Sequence, residues 1–192
     1  HRHPASHPHV GQPSMQQEKT IESKTVFNGR LVNLRLDTVA LPDGGTACRE
    51  IVEHGEVVFI VPVDADDNVL LVRQYRKPAE EVLLEIPAGG IDPGEEPADA
   101  AQRELREETG YMAGNLEPMA SFYTSPGFCT EFSHLYLATD LQHDPLESEP
   151  DENIILCPVA ADQITRLIQG GEIKDGKSIA GLLLYLTCYR TR

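Results

Sequence analysis

The chain has 192 residues, 31 acidic against 16 basic, for a formal net charge of −15, with 40% hydrophobic and 6% aromatic residues. That length supports one substantial core and at most a small appended subdomain. The acidic balance excludes broad contact with nucleic acid or anionic lipid, both of which need clustered lysine and arginine, so neither is expected as a partner.

Residues 1–14 carry His1, His3, His7 and His9 among prolines and almost nothing apolar. Such a stretch cannot support a core and is expected to be a disordered tail, an extension ahead of a natural start at Met15. Residues 15–54 are predicted to form a small β subdomain, with Val32, Leu34 and Leu36 alternating with Asn33, Arg35 and Asp37 at the period of a half-buried strand. Pro42 to Gly45 mark a turn, and TACREIVEH returns as a strand.

Residues 55–192 are predicted to form the main domain. Val57 to Val63 is a buried central strand, far too short to span a bilayer. An acidic turn and a strand over 69–73 follow, then RQYRKP with Arg76, whose planar fork suits phosphate oxygens but is equally an ordinary surface arginine. A short strand over 82–86 delivers Glu85, and Pro87, Ala88 and Gly89 lead into a loop.

Pro97 suits a first helical turn and Gly110 the residue just after a helix. Within that helix Glu104, Glu107 and Glu108 project to one side, and Arg103 can pair with Glu107 four residues on. Taken alone this is either a solvated face or a set of hard oxygen ligands for a divalent cation. Beyond it, strands over 116–124 and 132–138 flank SPGFCTE, and an acidic, proline-containing loop over 140–152 precedes the strand IILCPV. Two helices close the chain, over 160–169 and 177–189, the second with Ile179, Leu182, Leu183 and Leu186 as a packing face. The four cysteines show no CxxC pair and are expected to be free thiols. With no apolar signal core at the start, a cytoplasmic location is expected.

The stretch GGIDPGEEPADAAQRELREETGY resembles the signature of the Nudix hydrolases, with Gly89, Glu95, Arg103, Glu104, Leu105, Glu107, Glu108, Gly110 and Tyr111 in its positions. At ordinary residue usage a chance match is on the order of one in 10⁵. LLEIPAGG before this box, and SPGFCTE with Pro126 fifteen residues past Tyr111, are similar to the ADP-ribose pyrophosphatase subgroup.

The resemblance implies an α/β fold, the Nudix-type α/β/α sandwich around a mixed β-sheet, with a small N-terminal β subdomain exchanged in a homodimer. It implies hydrolysis of ADP-ribose to AMP and ribose 5-phosphate with two or more Mg²⁺ ions, Mn²⁺ being possible in their place. Another nucleoside diphosphate sugar or a dinucleoside polyphosphate stays open as substrate, as does a non-catalytic ADP-ribose sensor. The metal ligands it implies are Glu104, Glu107, Glu108 and the Ala88 carbonyl, with Arg103 bracing the helix and loop. Glu152 is the first choice for the group acting on water and Glu149 the second. Arg76, Glu85, Gly127, Phe128 and Glu131 are implied at the substrate.

Overall fold

The computed structural model describes residues 17–147 and 153–190; the expected tail 1–14, Met15, Glu149 and Glu152 lie outside them. Three antiparallel strands come first: β1 (Lys19–Asn28), β2 (Asn33–Ala40) and β3 (Thr46–Glu53), in the order β1-β2-β3. Strand β1 begins six residues before the strand-like pattern at Thr25, and all ten of its residues are exposed. In β2 the side chains that bury are Asp37 and Val39, while Leu34 and Leu36 stay half-buried. Asp37 tolerates this because Ser23 Oγ donates to it at 2.6 Å and Arg35 Nε at 3.1 Å.

The main body uses β4 (Val57–Pro62), β5 (Asn68–Arg76), β6 (Glu81–Glu85), β7 (Ala88–Gly90), α1 (Pro97–Thr109), β8 (Tyr111–Tyr123), β9 (Phe132–His143) and β10 (Ile154–Ala160). A 3-10 turn (Ala161–Gln163), α2 (Ile164–Gln169), α3 (Gly176–Leu184) and a π turn (Tyr185–Tyr189) end it. One sheet is mixed, in the order β7-β4-β9-β8, with β4 parallel to β9 and antiparallel to β7. The other is antiparallel, in the order β10-β5-β6.

Strand β4 is buried on both faces, and successive side chains serve different layers. Val58 and Ile60 pack with Ala100, Ala101 and Leu105 of α1, while Val57, Phe59 and Val61 pack with Ile164, Leu167 and Leu182 of α2 and α3. This is the expected α/β/α sandwich. Each fully buried aliphatic side chain such as Ile60 contributes about 1.5–3 kcal/mol by leaving water.

Several boundaries differ from the sequence reading. Ala88–Gly90, expected as loop, pairs with β4 as a short strand. Strand β8 starts at Tyr111 directly after α1, not near Leu116, because Met112, Ala113 and Asn115 of the turn-like MAGN stretch pair with β9. Strand β9 runs on to His143 rather than ending near Ala138, as β8's partner. Among the described residues no helix is long and apolar enough to cross a membrane.

Candidate active site

Helix α1 has both termini fixed by residue type. Proline occupies its first turn, where a missing N–H forfeits no intrahelical bond. Gly110 takes a left-handed backbone at φ 79° and donates its N–H to the Arg106 carbonyl. Packing of Ala100, Ala101 and Leu105 on the sheet then sets the rotation of the helix. That rotation turns Glu104 and Glu108 inward, where each is only 8% exposed, and leaves Glu107 half-buried.

Strand β7 meets these carboxylates at contact distance. The Ala88 N–H donates to Glu108 Oε2 at 3.2 Å. A Cβ built on Gly89 would lie 1.9 Å from Glu104 Cδ, so glycine lets the strand pass the carboxylate without displacing it. Arg103 ties the loop to the helix. Its Nη2 donates to the Gly90 carbonyl and to Glu95 Oε2, both at 2.9 Å, and its Nη1 to Glu104 Oε1 at 2.6 Å and Glu107 Oε2 at 3.3 Å. Hydrogen bonding to Glu95 is the largest of the effects that hold the Arg103 guanidinium above its ordinary range, and the same bond holds the Glu95 carboxyl below its own.

Ala88, Gly89 and Gly90 line a cavity of about 800 Å³. Arg76, Asp175 and Lys177 line it too, as do His54, Ser125 and Glu131. Arg76 pairs bidentately with Glu85, Nε to Oε1 at 2.8 Å and Nη2 to Oε2 at 2.9 Å. Glu85 is 1% exposed and is also bonded by Lys177. Burial pushes its carboxyl up, but Arg76 and Lys177 together outweigh that and hold it below the ordinary carboxylate value. Across the cavity His54 Nδ1 lies 3.2 Å from Glu131 Oε2, linking the end of the N-terminal sheet to the SPGFCTE loop.

The structure thus gathers Arg76, Ala88 and Glu131 around one cavity, with Glu85, Arg103 and Glu108 bonded to groups that line it and the Glu104 carboxylate packed against Gly89. It does not bring Gly127 and Phe128 there. These line a second concavity of about 700 Å³ against β3, with Arg35 and Arg49, and Phe128 is 57% exposed. The reason is local: Val52 N–H donates to the Phe128 carbonyl at 2.8 Å and Thr130 N–H to the Val52 carbonyl at 3.0 Å, which turns the loop tip toward the N-terminal sheet. Glu149 and Glu152 fall outside the described residues.

Lys177, Asp175 and His54 are cavity residues that sequence reasoning missed. Asp175 had a signal, since Asp-x-x-Ser is a helix-start pattern and Asp175 indeed caps α3 by accepting from Ser178 N–H. Lys177 had none.

Comparison with known proteins gives the family. Residues 53–180, two-thirds of the chain, match the NUDIX domain, and residues 18–52 match the nucleoside diphosphate sugar hydrolase N-terminal domain. The chain belongs to the Nudix hydrolase family. This Nudix hydrolase is 39% identical to the ADP-ribose pyrophosphatase of Bacillus subtilis, over 84% of this chain and 89% of that one. It is 41% identical to the methanol dehydrogenase activator of Bacillus methanolicus, over 85% of this chain and 89% of that one. A crystal structure of an ADP compounds hydrolase superposes with a TM-score of 0.83 at 26% identity, covering 91% of this chain and 95% of that one.

Nudix hydrolases use divalent metal ions, and the donor chemistry of this one fits such an ion. Glu104 and Glu108 are buried hard-oxygen donors beside a strand that borders the cavity. Among the described residues no three His, Cys, Asp or Glu side chains converge as a ready cation cage. A cation here would therefore take further oxygens from backbone, water or phosphate, as Mg²⁺ commonly does.

Proposed function

We propose that this Nudix hydrolase cleaves the diphosphate of ADP-ribose, giving AMP and ribose 5-phosphate. The observation that carries the reading is the cavity itself: buried carboxylates of α1 beneath β7, with Arg76 lining the same cavity, in a chain 39% identical to an ADP-ribose pyrophosphatase. In this reading Glu104, Glu107, Glu108 and the Ala88 carbonyl hold two or more Mg²⁺ ions, or Mn²⁺ in their place. Bound there, the cations supply charge neutralisation at phosphorus and an acidified water.

The chain's own groups do the rest. Arg76, its fork fixed by Glu85, grips a non-bridging phosphate oxygen. Arg103 keeps the Gly90 carbonyl, Glu95 and the helix in one frame, so the carboxylates keep their positions as charge builds at phosphorus. Glu131, beside His54, faces the sugar end. Glu152, with Glu149 as second choice, orients or deprotonates the attacking water. Gly127 and Phe128 join the substrate only through a second subunit or a loop rearrangement, given where they lie.

The reading also takes residues 15–54 as a dimer-forming β subdomain and 55–192 as the catalytic domain, in a cytoplasmic homodimer whose partner molecule is a nucleotide sugar. Ile21, Val26 and Phe27, 59%, 44% and 56% exposed on β1, support a covered N-terminal sheet. The direct test is product analysis on ADP-ribose with Mg²⁺: AMP and ribose 5-phosphate in equal amounts support the reading. Binding of ADP-ribose without turnover would point to a sensor instead.

A further inference from the structure

We propose that Lys177 is a positioning residue for Arg76, acting through the buried Glu85 carboxylate; this rests on the diphosphate reading of the cavity. Arg76 uses Nε and Nη2 for the two Glu85 oxygens, which leaves Nη1 as the edge of the fork not taken up by the pairing. Its side chain is 38% exposed and lines the cavity, so that edge is the one to meet a phosphate oxygen. Where it points depends on how the Glu85 carboxylate is turned.

Lys177 sets that turn. Its Nζ bonds Glu85 Oε2, the same oxygen that accepts from Arg76 Nη2, and also Asp175 Oδ2 at 2.8 Å. The Lys177 side chain is 14% exposed, with its ammonium 5.8 Å from the Phe59 ring centroid. The bidentate Arg76–Glu85 pair can turn as a unit about the last bond of the glutamate; a lysine anchored on Oε2 restrains that turn. Neutrality alone does not explain the lysine, because the bidentate Arg76 already balances Glu85 and Lys177 draws its own counter-charge from Asp175. The four groups form an alternating chain, Arg76, Glu85, Lys177, Asp175.

The chain is anchored where α3 meets β6. Asp175 Oδ2 accepts from Ser178 N–H at 3.0 Å, and Ser178 Oγ accepts from the N–H of Ile86, next to Glu85, at 2.9 Å. The last regular helix of the chain therefore fixes the phosphate-gripping end of the cavity from a point about 100 residues along the sequence.

The experiment is calorimetric binding of ADP with Mg²⁺, together with steady-state kinetics on ADP-ribose, for wild type, Lys177→Met and Lys177→Arg. Lys177→Met is expected to weaken ADP binding and raise KM by about tenfold, the worth of one charge-assisted hydrogen bond, with kcat changed little. Lys177→Arg is expected to recover most of that loss. Should Lys177→Met fail to fold, Lys177→Gln carries the same expectation. ADP binding unaffected by either neutral variant, a loss in kcat at constant KM, or wild type that does not bind ADP would each overturn the proposal. Wild type that binds ADP in a Lys177-dependent way but leaves ADP-ribose intact would refute the hydrolysis reading alone.

Discussion

At the scale of single residues, the carboxylates of α1 carry the account. Glu108 is 8% exposed and accepts the Ala88 N–H, so Glu108→Gln keeps the shape and one acceptor while removing the charge. The expected result is an intact fold by circular dichroism with turnover down at least about 100-fold, the upper range for groups supporting a metal site. Gly89→Ala has a different expectation, because its new Cβ would lie 1.9 Å from Glu104 Cδ. Either strand β7 or the Glu104 carboxylate must shift, so Mg²⁺ affinity in a titration should fall along with activity, whereas Gly55→Ala, whose new Cβ meets nothing within 4 Å, should leave Mg²⁺ affinity near normal. The helix and the shared side of its glutamates were legible from spacing, whereas a ligand role rather than a solvated face was implied only by the resemblance. Lys177 was not legible. Its partner Glu85 lies 92 positions away, and nothing in a lysine at the start of an amphipathic helix marks which carboxylate it will meet.

Elements have their own tests. Gly110 holds φ 79° at the end of α1, and Gly110→Ala is expected to cost about 1 kcal/mol by chemical denaturation, with little effect on KM. Far from the cavity, Asp67 accepts from Tyr185 Oη at 3.0 Å and from Arg190, which ties the π turn after α3 to the turn before β5. Hydrogen bonding to Arg190 is the largest effect holding the Asp67 carboxyl below its ordinary value, against opposition from burial. A depressed folded pKa means its contribution is complete above an unfolded value of about 3.9 and is lost as pH falls through the folded one. Asp67→Asn should therefore flatten part of the acid limb of a stability curve below about pH 4. Tyr185 is pushed up to about 12 by burial first and Asp67 second, so its contribution is lost as pH rises from about 10 toward 12, and Tyr185→Phe should remove that loss. Helix α1 was readable to the residue because proline and glycine mark its ends. The start of β8 was not, because cross-strand pairing with β9 decides it against a turn-like composition.

For the whole molecule, the N-terminal sheet poses the main question, since β1 is exposed along its length and carries Ile21, Val26 and Phe27 outward. A homodimer that covers this sheet is expected, and light scattering on Phe27→Asp should show a shift toward monomer at micromolar concentration. The same sheet abuts the SPGFCTE loop, so its placement and that of Gly127 and Phe128 are one problem. Sequence could show that this segment is β-rich; which surface it covers depends on a neighbour that no local pattern encodes. The central claim, diphosphate hydrolysis of ADP-ribose by the α1 carboxylates, is tested most directly by turnover against ADP-ribose, ADP-glucose, GDP-mannose, NADH and diadenosine polyphosphates, each with Mg²⁺ and with chelator. The account predicts that ADP-ribose leads, that AMP and ribose 5-phosphate are the products, and that chelator abolishes the reaction. Another substrate leading would contradict the reading of the cavity, and no cleavage of any of them would contradict the hydrolysis itself.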